Sequence, residues 1–211
     1  MIRNLIFDFD RTLFDSYPHI AAAFCRTLRN HGIEYRERDV MDALFISFWE
    51  AAERYHLTEA QEKEFIACNA DHDFPPAVVP YDGVPEMLRA LKDGGFRLFL
   101  YSHSTTEKVN YYYDKYRLTD FFEESVTADY GFAHKPSPEA VDYLLQKYRL
   151  RPEETLMIGD RALDILAGKN ARVPGCLILW GTPPQTDAAD YYLQTVTELP
   201  ALLARLNEKE E

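Results

Sequence analysis

Four short apolar runs, Leu5 to Phe9, Phe96 to Tyr101, Thr155 to Ile158 and Cys176 to Trp180, are separated by stretches of helical pattern. That alternation restricts the architecture, because buried strands interleaved with helices pair in parallel, each crossover holding a helix. Ser125 to Ala128 reads as a further short strand, preceded by a helix from about Thr105 to Tyr116. Ser104-Thr105-Thr106-Glu107 has the capping-box pattern for that helix. Ser137-Pro138-Glu139 predicts another, with serine as N-cap and proline at the first position. Gly181-Thr182-Pro183-Pro184 reads as a loop, and a last helix over about Thr197 to Leu206 precedes a frayed end at 208–211.

From Ser16 to Pro80 the alternation stops, and helical patterns appear without a convincing strand. Ile20, Phe24 and Leu28 keep a four-residue step, as do Val40, Leu44 and Phe48, giving one apolar face per helix. Thr58-Glu59-Ala60-Gln61 offers a third helix start. Phe74-Pro75-Pro76 and Pro80-Tyr81-Asp82-Gly83 forbid a continuing helix. Residues 16–80 therefore read as a helical insertion, and residues 1–15 with 81–211 as the domain that receives it.

With 211 residues, 46% of them hydrophobic, the chain can bury one core plus a modest insertion. A net charge of -12 argues against nucleic acid and anionic membrane surfaces as partners, so an anionic substrate must be met locally. No apolar stretch approaches a membrane span, and Met-Ile-Arg-Asn-Leu-Ile leads into a strand rather than a cleavable signal, so a cytoplasmic protein is expected, monomer or homodimer. Cys25, Cys68 and Cys176 are few and far apart, which indicates packing rather than disulfides or zinc. None has the arginine offset of a cysteine-dependent phosphatase.

The chemistry is concentrated at predicted strand ends. Asp8 and Asp10 stand two residues apart just after Leu5-Ile6-Phe7, so on an extended segment both face one way while Phe7 and Phe9 are buried opposite. Two carboxylates 4 Å apart repel by about 4 kcal/mol at an effective dielectric of 20, which a cation or a shared proton would relieve. Ser102 follows the second run and Lys135 lies in the loop Gly131 to Pro136. Asp160 falls just beyond the third run, after Gly159, and Asp164 stands one helical turn further on. Taken singly, each has an ordinary role: a strand end, a turn hydroxyl, a solvated lysine, a helix cap. Four acids, one hydroxyl and one lysine at successive strand ends are not explained that way, since parallel sheets assemble their sites there.

With Asp8-Phe9-Asp10-Arg11-Thr12-Leu13-Phe14-Asp15-Ser16, then Ser102, Lys135-Pro136 and Gly159-Asp160 with Asp164, the chain resembles the haloacid-dehalogenase superfamily over nearly its whole length. The branch it resembles is the phosphatases with a helical cap inserted after the first strand, phosphoglycolate-phosphatase-like in architecture. The resemblance implies a Rossmann-like α/β core and Asp8 as nucleophile. It implies Asp10 as general acid and base, and Mg²⁺ held by the Asp8 carboxylate, the Asp10 main-chain carbonyl and Asp160. Ser102 and Lys135 would bind phosphate, with Thr12 nearby and Asp164 orienting metal waters or Lys135. The small cap suggests a leaving group enclosed by closure.

Two positions depart from the family pattern, Arg11 where glycine is usual and His103 where asparagine is usual. The Arg11 backbone N–H remains available for a phosphate contact, while its side chain enters the cavity or pairs with an acid. His103 binds phosphate if protonated, or else is a loop histidine. Asp10 favours phosphoryl transfer over dehalogenation, and Thr12 favours phosphatases over sugar phosphomutases, the enzymatic alternative. Phosphonatases need a cap lysine, and the insertion offers only Lys63 in an acidic stretch. A receiver-like phospho-acceptor or silent scaffold is the non-enzymatic alternative, although receiver domains are shorter and lack the insertion. The expected activity is Mg²⁺-dependent hydrolysis of a small phosphomonoester through an aspartyl phosphate.

Overall fold

In a computed structural model that describes residues 1–208, the apolar runs become the strands of one sheet. In chain order the elements are β1 (Asn4–Phe7), β2 (Phe14–Asp15), α1 (Tyr17–Asn30), α2 (Glu37–Ile46), α3 (Phe48–Arg54) and α4 (Glu59–Ala70). There follow β3 (Val79–Pro80), α5 (Val84–Asp93), β4 (Arg97–Tyr101), α6 (Thr106–Tyr116), β5 (Glu124–Val126) and α7 (Glu139–Tyr148). The chain continues with β6 (Thr155–Gly159), α8 (Ala162–Asn170), β7 (Gly175–Ile178), β8 (Tyr191–Leu193) and α9 (Leu199–Glu208). The frayed end expected at 208–211 lies, from Lys209 on, outside the described residues.

Six strands form the sheet in the order β5-β4-β1-β6-β7-β8, and every pairing is parallel. The α/β class expected from the alternation is therefore the fold. β1 is flanked on both sides, with Ile6 opposite Phe99 of β4 and Met157 of β6. Leu5, Ile6 and Phe7 are wholly buried, as befits a strand covered on both faces. Ile6, Phe99 and Met157 share one core with Val141 and Leu144 of α7, so the crossover helix is fixed by its apolar stripe.

Several expected boundaries moved. β1 ends at Phe7 rather than Phe9, because the Phe9 carbonyl accepts hydrogen bonds from the N–H groups of Leu13 and Phe14 and turns the chain there. Thr105, not Ser104, caps α6, its hydroxyl accepting from the Lys108 N–H. α7 starts after Pro138 instead of Ser137. The separate helix α3, the two-residue strands β2 and β3, the helix α5 and the strand β8 were not anticipated. α5 follows Gly83, whose φ is +81°, and buries Val84, Met87, Leu88 and Leu91, a helical spacing that was readable. β8 is a three-residue edge strand, too short to show a period.

Residues 15–79 form a second compact unit, and the first comprises 1–14 and the chain from Pro80 onward. The second unit holds α1 to α4 around its own core of Phe24, Leu28, Val40, Ala43, Leu44, Ala51 and Phe65. Phe48 does not continue the α2 stripe, because Ser47 ends that helix and caps α3 by accepting from the Glu50 N–H. Thr58 and Gln61 make the expected capping box of α4. Lys63 is spent in an exposed ion pair with Glu59. Among the described residues no helix is long and apolar enough to cross a membrane.

Candidate active site

Because β4, β1 and β6 are adjacent and parallel, their carboxyl ends bring Ser102, Asp8 and Asp160 to one edge of the sheet. All three are buried. Lys135 reaches the same place from the loop between β5 and α7. Its Nζ donates to Oδ1 of Asp8 at 2.6 Å, to Oδ1 of Asp164 at 2.8 Å and to the Tyr101 carbonyl at 2.8 Å, which uses all three ammonium hydrogens. Neither Lys135 nor Asp164 exposes any of its side chain. The lysine that in isolation would be solvated is the centre of the cluster.

Asp164 is itself held twice. Lys135 takes one oxygen, and the Arg161 backbone N–H donates to the other at 3.0 Å. That second contact makes Arg161, not Asp160, the N-cap of α8 and leaves Asp160 free of the capping role considered for it. Asp160 instead accepts from the Arg11 guanidinium at 3.2 Å and faces the Thr12 hydroxyl at 3.4 Å.

Arg11 occupies a left-handed backbone conformation, φ +56°, in the turn after β1. Its N–H donates to the Phe14 carbonyl, so the main-chain phosphate contact allowed by the sequence is already used within the turn. Its carbonyl accepts from the Trp180 indole at 2.6 Å, and Trp180 stacks on Tyr81 with ring centroids 3.9 Å apart. Neither aromatic was singled out from sequence.

Asp8 and Asp10 do not share one extended strand. Asp10 lies beyond the end of β1 with partners of its own: the Ser104 hydroxyl donates to Oδ2 at 2.8 Å, and Lys108 Nζ lies 3.2 Å from Oδ1. Ser104 and Lys108 were both missed. The available signal was a lysine on the buried face of α6, one turn before Tyr112.

Ser102 Oγ accepts from the Ser104 N–H at 3.0 Å, the turn role its residue type suggests, and remains a hydroxyl donor at the sheet edge. His103 departs from the phosphate-binding expectation. Its Nε2 accepts from the Lys135 N–H at 3.0 Å, which requires an unprotonated nitrogen. Burial, aided by the Lys135 and Arg161 charges, pushes its pKa down to about 3. A neutral acceptor offers no charge to a phosphate.

The buried acids perturb one another. Burial raises the pKa of Asp8 to about 6 against the opposing pull of Lys135, and burial with the Asp164 charge raises Asp160 to about 8. Asp164 goes the other way, because Lys135 and Arg161 outweigh its burial. Burial also disfavours the Lys135 ammonium, yet Asp164 and Asp8 keep its pKa above the ordinary lysine value. Asp8, Asp160 and Asp164 each bring one carboxylate oxygen within 4.8 Å of the others. Oδ2 of Asp8 is buried without a hydrogen-bond partner. An all-oxygen donor set with two acids reluctant to ionise fits a hard divalent cation.

The family model for haloacid dehalogenase-like hydrolases matches residues 5–178, which include every acid of this cluster. The chain belongs to the haloacid dehalogenase-like hydrolase family. A phosphoglycolate phosphatase of Aquifex aeolicus (strain VF5) is 31% identical over 96% of this chain and 97% of its own length. A pyrophosphatase PpaX of Bacillus mycoides (strain KBAB4) is 26% identical, covering 98% and 99%. The crystal structure of a predicted phosphoglycolate phosphatase from Haemophilus somnus 129PT shares the fold with a TM-score of 0.83, at 22% identity over 96% of this chain and 98% of that one. The two curated relatives bear phosphatase names, and this chain is an enzyme of phosphatase type.

Proposed function

We propose that this enzyme hydrolyses a small phosphomonoester in two steps through a phosphorylated Asp8, with Mg²⁺ as cofactor. The observation that carries the reading is the Asp8 carboxylate: Lys135 pins Oδ1 at 2.6 Å while the buried Oδ2 has no hydrogen-bond partner. One oxygen fixes orientation and the other is left to attack.

In the first step Oδ2 of Asp8 forms a bond to phosphorus, the bond to the leaving oxygen breaks, and Asp10 delivers the proton that the alkoxide needs. In the second, water attacks the phosphorus of the aspartyl phosphate while Asp10 accepts its proton; phosphate departs and the Asp8 carboxylate is restored. Lys135 supplies fixed positive charge to the phosphoryl oxygens, and Ser102 donates its hydroxyl to them. The Asp8 and Asp160 carboxylates and the Asp10 main-chain carbonyl would hold Mg²⁺. Asp164, both of whose oxygens are engaged, serves to aim Lys135. Bound there, the cation supplies charge neutralisation between carboxylate and phosphoryl oxygens. In this reading residues 1–15 and 81–211 are the catalytic core and residues 16–80 the cap.

The deciding experiment assays purified protein against a panel of phosphorylated metabolites, including phosphoglycolate and pyrophosphate, with Mg²⁺ and with a chelator. Turnover of at least one small phosphomonoester, lost in chelator and abolished in a folded Asp8→Asn variant, is expected. Appreciable turnover by Asp8→Asn would remove Asp8 from the nucleophile role.

A further inference from the structure

We propose that Lys108, together with Ser104, is a positioning residue that clamps the Asp10 carboxylate in the orientation needed to protonate the leaving group. The inference rests on the reading of Asp10 as proton donor and acceptor.

The placement of Lys108 is costly on local grounds. It is the third residue of α6, in the first turn, where the helix dipole disfavours a cation, and only 4% of it is exposed. A buried ammonium in such a place requires a partner charge. Asp10 supplies it at 3.2 Å, with the lysine side chain 5% exposed and the aspartate 17%. Packing alone would have been met by an apolar residue beside Val109, Tyr112 and Tyr113, which form the rest of the buried face.

The grip is two-handed. Ser104 and Lys108 are four residues apart across the start of one helix and hold different oxygens of the same carboxylate, which fixes its plane. The segment that carries them is anchored in turn. The Ser104 N–H donates to Oγ of Ser102, its carbonyl accepts from the Ala128 N–H, and the Thr105 hydroxyl caps the helix. Asp10 is thus tied to the end of β4, the strand adjacent to the one that precedes Asp8.

Leaving-group chemistry separates this role from a structural one. An alkyl phosphate needs a proton on its departing oxygen, whereas a p-nitrophenyl phosphate departs as a stable phenolate. The value kcat/KM covers the steps up to that departure. In Lys108→Met, which preserves length and tolerates burial, kcat/KM for an alkyl phosphate is expected to fall about a hundredfold, the order expected when a proton donor is misplaced. For p-nitrophenyl phosphate the fall should be under about threefold, and Lys108→Arg should recover most of the alkyl activity. Equal losses on both substrates, or no loss on either, would overturn the proposal for Lys108. Asp10→Asn assayed in parallel keeps the two readings apart. If it shows the alkyl-selective loss and Lys108→Met does not, only the clamp fails; if Asp10→Asn loses both substrates equally, the proton role of Asp10 itself is wrong. Should Lys108→Met not fold, Ser104→Ala removes the other contact and must show the same selectivity.

Discussion

A methyl group on Gly159 would lie 2.3 Å from the Cβ of Asp164 and 2.6 Å from its Oδ2. The last residue of β6 must therefore lack a side chain for the acid of α8 to fold back against the strand and reach both Lys135 and the Arg161 N–H.

Gly159→Ala is expected to displace Asp164 and loosen Lys135, and overpacking of this kind costs about 1–3 kcal/mol. Thermal denaturation together with steady-state kinetics checks it: a lowered Tm and a kcat reduced by roughly tenfold or more. Unchanged values for both would show that the contact has no part in aligning the lysine.

Stability of the metal-free protein should depend on pH in a direction opposite to that of ordinary paired acids. The folded pKa values of Asp8 and Asp160 are raised from 3.8 to about 6 and about 8, so between pH 4 and 8 the folded chain binds more protons than the unfolded one. The stabilising contribution of these groups is full below pH 4 and is lost as pH rises through those values. In chelator, denaturant midpoints over pH 6.5 to 8, above the range where the lowered pKa of His103 pulls the other way, should fall, and saturating Mg²⁺ should flatten the slope. A midpoint that climbs over this range in chelator, with Asp8→Asn and Asp160→Asn leaving the slope unaltered, would contradict the assignment.

If Asp160 holds Mg²⁺ as proposed, Arg11 would compete with the cation for it. The guanidinium sits 3.2 Å from Oδ2, and the arginine side chain is 14% exposed against none for the aspartate. Arg11→Gly removes that competitor and suits the φ of +56° better than any side chain does. Since a charged hydrogen bond contributes about 1.5–3 kcal/mol, Mg²⁺ should bind the variant roughly ten- to a hundredfold more tightly by isothermal titration calorimetry. Weaker binding would mean that Arg11 supports the metal site instead.

Much of this architecture was legible in the chain because its signals are local. Leu5 to Phe7, Phe99 to Tyr101 and Leu156 to Ile158 are apolar runs of strand length, and a strand buried on both faces needs nothing subtler. Thr58 and Gln61 are three residues apart, within the reach of one turn. Asp8, Lys135, Asp160 and Asp164 could be picked out because strand ends of a parallel sheet meet at one edge. What failed were boundaries decided by competing hydrogen bonds: Ser104 left the helix cap to grip Asp10, and Asp160 left it to meet Arg11 and Thr12.

By itself, the order of residues determined the parallel α/β plan, the helical unit after β1 and the set of acids and lysine that meet at the sheet edge. Only the tertiary structure decided who holds whom: Lys135 between Asp8 and Asp164, Lys108 on Asp10, Trp180 on the Arg11 carbonyl, and a neutral His103 accepting from the Lys135 backbone. Apolar periodicity acts over a few residues and can be read in one dimension. Charge pairing and desolvation depend on distances between residues as far apart in the chain as Arg11 and Asp160, which come into being only when the strands have closed on one another.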